Sequence, residues 1–109
     1  MGHDIIGRNK AGEEVAYARF SMGNYNATIL YSLLEANEYY AGVSGTGDSS
    51  VFSIQQIHNA LKMFKELYMS KASPAGSDFM EWDGKQILDF LQNCLSTAQE
   101  EGSVQVLFG

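Results

Sequence analysis

The chain holds a single cysteine, Cys94, so no internal disulfide can form, and that usage fits a reducing compartment. No apolar run approaches about 18 residues, so no transmembrane helix is expected. The opening residues MGHDIIGRNK lack the apolar stretch of a secretory signal. Gly2 follows Met1 as in a myristoylated chain, but Ile6 stands where that motif takes Ser or Thr. The expectation is a cytoplasmic protein with no membrane contact. Positive charge is also scarce, at seven Lys and Arg against thirteen Asp and Glu, a net charge of −6. Residues 1–54 carry six acids and three bases and residues 55–109 seven and four, so each half is −3 and neither is a basic patch. Arg8, Lys10 and Arg19 can approach one another on an N-terminal hairpin, but three cations make a weak groove for a phosphate backbone. Direct nucleic-acid binding is disfavoured on that electrostatic ground.

With 45% apolar and 18% charged residues, the chain is globular rather than disordered. A length of 109 residues fits one domain, 1–109, with no repeat and no linker long enough to divide it. HDIIG, RNKAG and EEVAYARFS predict a β-hairpin whose turn holds Asn9 and Gly12, residues that tolerate positive φ. Along its second strand, Val15, Tyr17 and Arg19 share one face, while Ala16, Ala18 and Phe20 share the other. The small residues on that second face predict a closely packed helix. GNYNATILYSLLEAN reads as a first helix, with Asn24 or Asn26 as N-cap, Ile29, Leu30, Leu33 and Leu34 as its stripe, and Asn37 at its end. A short strand is expected at 39–43.

SIQQIHNALKMFKELYM carries an S-x-x-Q capping box, Ser53 and Gln56. Its apolar face is Ile54, Ile57, Leu61, Phe64, Leu67 and Tyr68. SKASPAGSDFMEWDG, around the only proline, Pro74, reads as a surface loop. A last helix is expected from an Asp83 N-cap, with Gln86 three residues on and Ile87, Leu88, Leu91, Cys94, Leu95 and Ala98 facing the core. Gly102 stands where a left-handed cap belongs. The apolar SVQVLFG then predicts a strand that pairs with the hairpin. The fold expected is α+β: a small antiparallel sheet, hairpin plus C-terminal strand, with about three helices on one face.

EYYAGVSGTGDSSVFS is the least ordinary stretch. A P-loop needs G-x-x-x-x-G-K-[ST], because the lysine neutralises the phosphates, and here Asp48 follows Gly47. A dinucleotide loop needs G-x-G-x-x-G, whereas this order is G-x-x-G-x-G. An anion can still sit at a free helix N-terminus. That leaves a ligand-binding reading on Gly45, Gly47, Ser49, Ser50 and Ser53, within a Gly42–Ser50 loop and the helix start. Against it stands a recognition surface. Tyr25, Tyr31, Tyr39 and Tyr40 fall within sixteen residues among Asn and Ser, the composition of protein-binding paratopes. Tyr31 and one of Tyr39 and Tyr40 are expected to cover the core. Partner contact is assigned to Asn24, Tyr25, Tyr39, Tyr40, Ser44, Thr46 and Asp48.

Enzyme chemistry finds less support. Cys94 with His58 is the one candidate nucleophile and base, but Cys94 lies on a core-facing stripe and reads as structural. Asp78, Glu81 and Asp83 bunch together without the order of a calcium loop, and acids are favoured at a helix start anyway. His3 beside Asp4 specifies no metal. No cofactor or metal is expected.

Gly2-His3-Asp4-Ile5, then Tyr17-Ala18-Arg19-Phe20, then Met22-Gly23-Asn24-Tyr25 and an S-G loop resemble a group of small phage, prophage and gut-bacterial proteins. The resemblance covers about the first half of the chain, with Asn24 and Tyr25 where that group often has tryptophans. It implies a context, host-cell cytoplasm and inhibition of host machinery, as in anti-CRISPR and other anti-defence proteins. It carries over no catalytic residue. The function expected is therefore a non-enzymatic inhibitor acting by protein–protein contact, its acidity suiting a basic nucleic-acid-handling partner. The alternative is a module that binds or sequesters a nucleotide or similar anion. Either a monomer or a homodimer fits, the latter through the C-terminal strand.

Overall fold

The alternation at 14–21 folds as its pattern dictates. In a computed structural model that describes residues 2–21, 25–42, 44–70 and 77–109, Ala16, Ala18 and Phe20 are buried on one face, while Tyr17 and Arg19 are exposed on the other. This strand, β2 (Glu14–Ser21), pairs antiparallel with β1 (Gly2–Arg8), Ile5 lying opposite Ala18 and Gly7 opposite Ala16. The two turn residues divide the work. Gly12 takes the positive φ, 83°, whereas Asn9 uses its side chain, accepting the Glu13 N–H at 2.9 Å.

After α1 (Tyr25–Leu33) and a 3-10 turn at Asn37–Tyr39 come β3 (Ser49–Ser53), α2 (Ile54–Ser70), α3 (Ser77–Glu101) and β4 (Ser103–Phe108). The four strands form one antiparallel sheet in the order β2-β1-β4-β3. This is the expected α+β architecture, and the C-terminal strand does pair with the hairpin, Leu107 opposite Ile6. It also pairs on its other side, so β4 is central and β3 takes the edge.

That edge strand corrects the expectation of a loop running to the helix at Ser53. Five residues are too few to show a period, and pairing with Val104 and Val106 makes the strand. The strand expected at 39–43 is absent among the described residues. Asn37–Tyr39 is helical, Tyr40 makes an isolated bridge to Gly45, and Val43 is not described. The first helix ends at Leu33 rather than Asn37, and Glu35 follows with a φ of 54°. Asn26 lies inside that helix and so cannot cap it, while Asn24 falls outside the described residues.

The capping box forms as read. Gln56 N–H donates to Ser53 Oγ at 3.2 Å, and Ser53 N–H donates to Gln56 Oε1 at 2.8 Å. Ile57, Ala60, Leu61 and Phe64 are buried on α2, whereas Ile54 stays 39% exposed. The side chains of Leu67 and Tyr68, and residues 71–76 around Pro74, lie outside the described residues, but 77–84 of the expected surface loop are helical. The last helix starts at Ser77, six residues before Asp83, so Asp83 is not its cap. Beyond that start its stripe holds, with Ile87, Leu91, Cys94 and Ala98 buried and Leu88 and Leu95 packed against the core. Gly102 closes it at φ 88°, its N–H bonded to the Ala98 carbonyl at 2.7 Å.

The helices cover one face of the sheet, where His3, Ile5, Gly7, Phe52, Val104, Val106 and Phe108 are buried. On the other face Asp4, Ile6, Arg8, Tyr17, Arg19, Val51, Gln105 and Leu107 all keep solvent contact. Among the described residues no helix is long and apolar enough to cross a membrane.

Candidate functional site

The glycine segment is a tongue tied to the end of β4. Ala41 N–H reaches the Ser44 carbonyl at 2.9 Å, and Thr46 N–H reaches the Tyr39 carbonyl at 2.9 Å. Farther along, Gly45 N–H donates to the Gly109 carbonyl at 2.9 Å and Gly47 N–H to the Phe108 carbonyl at 2.7 Å. Phe108 N–H returns a bond to the Asp48 carbonyl at 2.9 Å. Gly45 is required by this approach, because a Cβ there would stand 2.8 Å from the Tyr31 hydroxyl and closer still to the Phe108 carbonyl.

Beneath the tongue lies His3. Strand neighbours point to opposite faces, so His3 turns into the core while Asp4 faces solvent, which separates the pair considered for a metal. Both imidazole nitrogens are engaged: Nε2 meets the Gly42 carbonyl at 3.2 Å and Nδ1 meets the Tyr31 hydroxyl at 3.1 Å. A carbonyl only accepts, so Nε2 donates to Gly42, and in the tautomer with Nε2 alone protonated Nδ1 accepts from the Tyr31 hydroxyl. The Tyr40 ring lies parallel to the imidazole, 5.3 Å away, and edge-on to Tyr31. Tyr39 stacks on Phe108 at 4.9 Å. Burial, and secondarily the neighbouring Tyr40, push the Tyr31 phenol up to about 12. Tyr31 and Tyr39 are thus the rings that cover the core, as expected of two of the tyrosines.

What the tongue shows to solvent is short. Tyr40 is 38% exposed, and Ala41, Thr46, Gly47 and Asp48 are exposed around it. Thr46 Oγ1 donates to Asp48 Oδ2 at 3.0 Å, which fixes both side chains. Ser44 is half-buried and turns its hydroxyl to the Gly45 carbonyl. Glu35, Glu38 and Asp48 are exposed in this part of the chain, and no Lys or Arg occurs between Arg19 and Lys62. Of the residues assigned to partner contact, Tyr39, Tyr40, Ser44, Thr46 and Asp48 fall on this one feature. Asn24 and the Tyr25 side chain lie outside the described residues.

Two of the donors named for the anion-binding alternative are committed elsewhere. The Gly45 and Gly47 amides bond the Gly109 and Phe108 carbonyls, while Ser53 Oγ accepts from the Gln56 N–H. Ser49 Oγ accepts from Gln105 Nε2 at 3.1 Å, and Ser50 lies opposite Val106 inside the sheet. Gly45 serves the close passage of this segment past the end of β4, and Gly47 supplies a positive φ.

Cys94 and His58 are not brought together by any hydrogen bond. Cys94 is fully buried beside Gly7, where a Cβ would meet its Sγ at 2.9 Å, and His58 is exposed on α2. Burial pushes the thiol up to about 12, away from the thiolate a nucleophile needs. Among the described residues no group of three or more His, Cys, Asp or Glu side chains is placed to hold a metal. The side chains of Asp78, Glu81 and Asp83 lie outside that description.

Two features escaped the sequence reading. The first is His3, whose place on one face with Ile5 and Gly7 was legible in the alternation. The second is Gln86, whose amide bonds the outer edge of β2 at one residue: Arg19 N–H donates to Oε1 at 2.7 Å, and Nε2 donates to the Arg19 carbonyl at 2.9 Å. At the far end of β1 a shallow depression of about 260 Å³ is lined by Arg8, Lys10, Val51 and Gln105, remote from the tongue. Comparison with known proteins finds no family model, no curated protein and no solved structure that matches the chain.

Proposed function

We propose that this protein is a non-enzymatic binding protein that docks on and blocks a protein partner through the tongue. The observation that carries this reading is the anchoring of Tyr40. Its ring is half in solvent, yet it rests on His3 and Tyr31, and the main chain around it is tied to β4. A ring held in place before binding loses little conformational freedom on contact, the property that makes tyrosine effective at protein interfaces. Thr46 and Asp48, fixed to each other beside it, offer an oriented acceptor.

The charge around the tongue sets the class of partner. With Glu35, Glu38 and Asp48 exposed and no base between Arg19 and Lys62, the surface suits a basic protein. A nucleic-acid-handling enzyme of a host cell is such a partner, and the context implied by the resemblance to small phage and prophage proteins supports that choice. The test is affinity capture from a host lysate, followed by titration of the recovered protein with the native chain, Tyr40→Ala and Asp48→Lys. Both substitutions are expected to weaken binding at least about tenfold, the scale of an interface hot spot, and the native chain to inhibit the partner's activity. Undiminished binding by both variants refutes the tongue as the contact.

A further inference from the structure

The two edges of the sheet are finished differently. The edge of β2 is tied at one residue, where the Gln86 amide from α3 takes both outward groups of Arg19. The edge of β3 is open over a short, defined length. On its tongue side the Thr46 N–H is taken by the Tyr39 carbonyl, and on its helix side the Ser53 N–H is taken by Gln56. Main-chain groups alternate in direction along an antiparallel strand. Since Asp48 bonds inward to Phe108 and Ser50 and Phe52 pair toward Val106 and Val104, Ser49 and Val51 point outward. Their N–H and C=O groups have no main-chain partner among the described residues. Nor does the segment carry the usual protections of an edge. Ser49–Ser53 contains no charge, no proline and no bulge, and Val51 is 61% exposed.

We propose that this edge pairs with the same edge of a second copy, antiparallel, about a two-fold axis at Ser50. In that register Ser49 of each copy lies opposite Val51 of the other. Each outward N–H then meets an outward C=O, which gives four main-chain hydrogen bonds across the seam. A dyad at Val51 fails, because it sets Ser49 against Ser53, whose N–H is already committed to Gln56. No like charges oppose each other along the seam. The product is a continuous eight-stranded sheet whose outer strands are the two β2 strands, each held at Arg19 by its own Gln86. The two-fold contact uses the β3 edge of both copies, so this interface closes at two copies. This pairing is independent of the tongue reading, since it uses neither Tyr40 nor its neighbours.

The experiment is analytical ultracentrifugation of the native chain from micromolar to near-millimolar concentration, alongside the double variant Ser49→Lys, Val51→Lys. The native chain is expected to dimerise, more strongly at high salt, which screens the repulsion between two chains of net charge −6. The double variant is expected to weaken the dimer at least about tenfold, as edge lysines do. The two lysines bring each copy's net charge closer to zero yet face lysines of the other copy across the seam in this register, so the loss is read at the edge itself. Register is read separately from Ser50→Cys, which is expected to form an intermolecular disulfide on mild oxidation, Cys94 being buried. A native chain that stays monomeric throughout overturns the proposal and leaves the edge to a strand from another protein. A dimer undiminished by the two lysines overturns it as well.

Discussion

A Cβ added at Gly45 would stand 2.5 Å from the carbonyl oxygen of Phe108. No real contact of that kind survives, and both sides of it are main chain. Gly45→Ala is therefore expected to push the tongue off β4 and cost about 2 kcal/mol or more, the scale of overpacking a tight site. Urea denaturation measures the loss, and amide exchange at Thr46 and Gly47 is expected to speed up with it. A stable variant with unchanged exchange would show that the contact yields without cost.

The clasp beneath the tongue makes a second prediction. His3→Ala removes a buried ring, frees the part-buried Gly42 carbonyl and strands the buried Tyr31 hydroxyl, which costs about 1–3 kcal/mol when left unpaired in the interior. Tyr40 loses the ring it stacks on, so its fluorescence and exchange are expected to report a looser tongue. Hydrogen exchange at the β1–β2 hairpin turn, at the other end of β1, is expected to change only by the global loss of stability.

Alkaline pH supplies a third. The Cys94 thiol is raised from its ordinary 9.0 to about 12 by burial, and the Tyr31 phenol from 10.0 to about 12 by burial and then Tyr40. For both groups the folded chain holds the proton longer than the unfolded one. Their contribution to stability is present below the unfolded values and is lost as pH rises from about 9 toward about 12. The slope is at most about 1.4 kcal/mol per pH unit for each group. Denaturation midpoints between about pH 8 and pH 11 are expected to fall, and Cys94→Ala to flatten the lower part of that fall. In the folded chain at neutral pH, Cys94 is expected to resist thiol reagents until denaturant is added.

Gln86 offers a fourth. Gln86→Ala leaves the Arg19 N–H and carbonyl without their two bonds and is expected to cost about 1–2 kcal/mol. It also opens the β2 edge to other strands. Light scattering at high concentration is expected to show growth beyond the proposed dimer, growth that is not expected of the native chain. Unaltered scattering together with unaltered stability would mean that solvent serves this edge equally well.

Local signals carried much of this fold in plain sight. The alternation of Ala16, Ala18 and Phe20 set the face of β2, Ser53 and Gln56 capped α2 on their own, and Gly102 closed α3. Each of these devices acts over four or five residues, so the chain states them directly. Even the burial of Cys94 followed from its place three residues after Leu91. The start of α3 was misjudged because Asp83 with Gln86 imitates a cap, while the helix had begun at Ser77. Gln86 had work elsewhere, on a strand sixty-seven residues away.

The candidate site divides along the same line. Composition alone picked out Tyr39, Tyr40, Ser44, Thr46 and Asp48, because surplus amphipathic rings among small polar residues are visible without coordinates. What the glycines do was not visible. Gly45 lets the tongue pass close to Phe108, a residue at the other end of the sequence, whereas Gly47 supplies a positive φ of 88° and a Cβ there would meet nothing. Strand β3 was hidden for the same reason, since Ser49–Ser53 becomes a strand only beside Val104 and Val106. By itself the sequence determined which segments are helix and hairpin, which faces are apolar, and how acidic the surface is. Periodicity, capping and charge are properties of neighbours along the chain. The tertiary structure alone decided which strand is central, which edge is left open, and that a glycine loop is an anchored tongue. Those outcomes depend on hydrogen bonds and contacts between segments that meet only after folding.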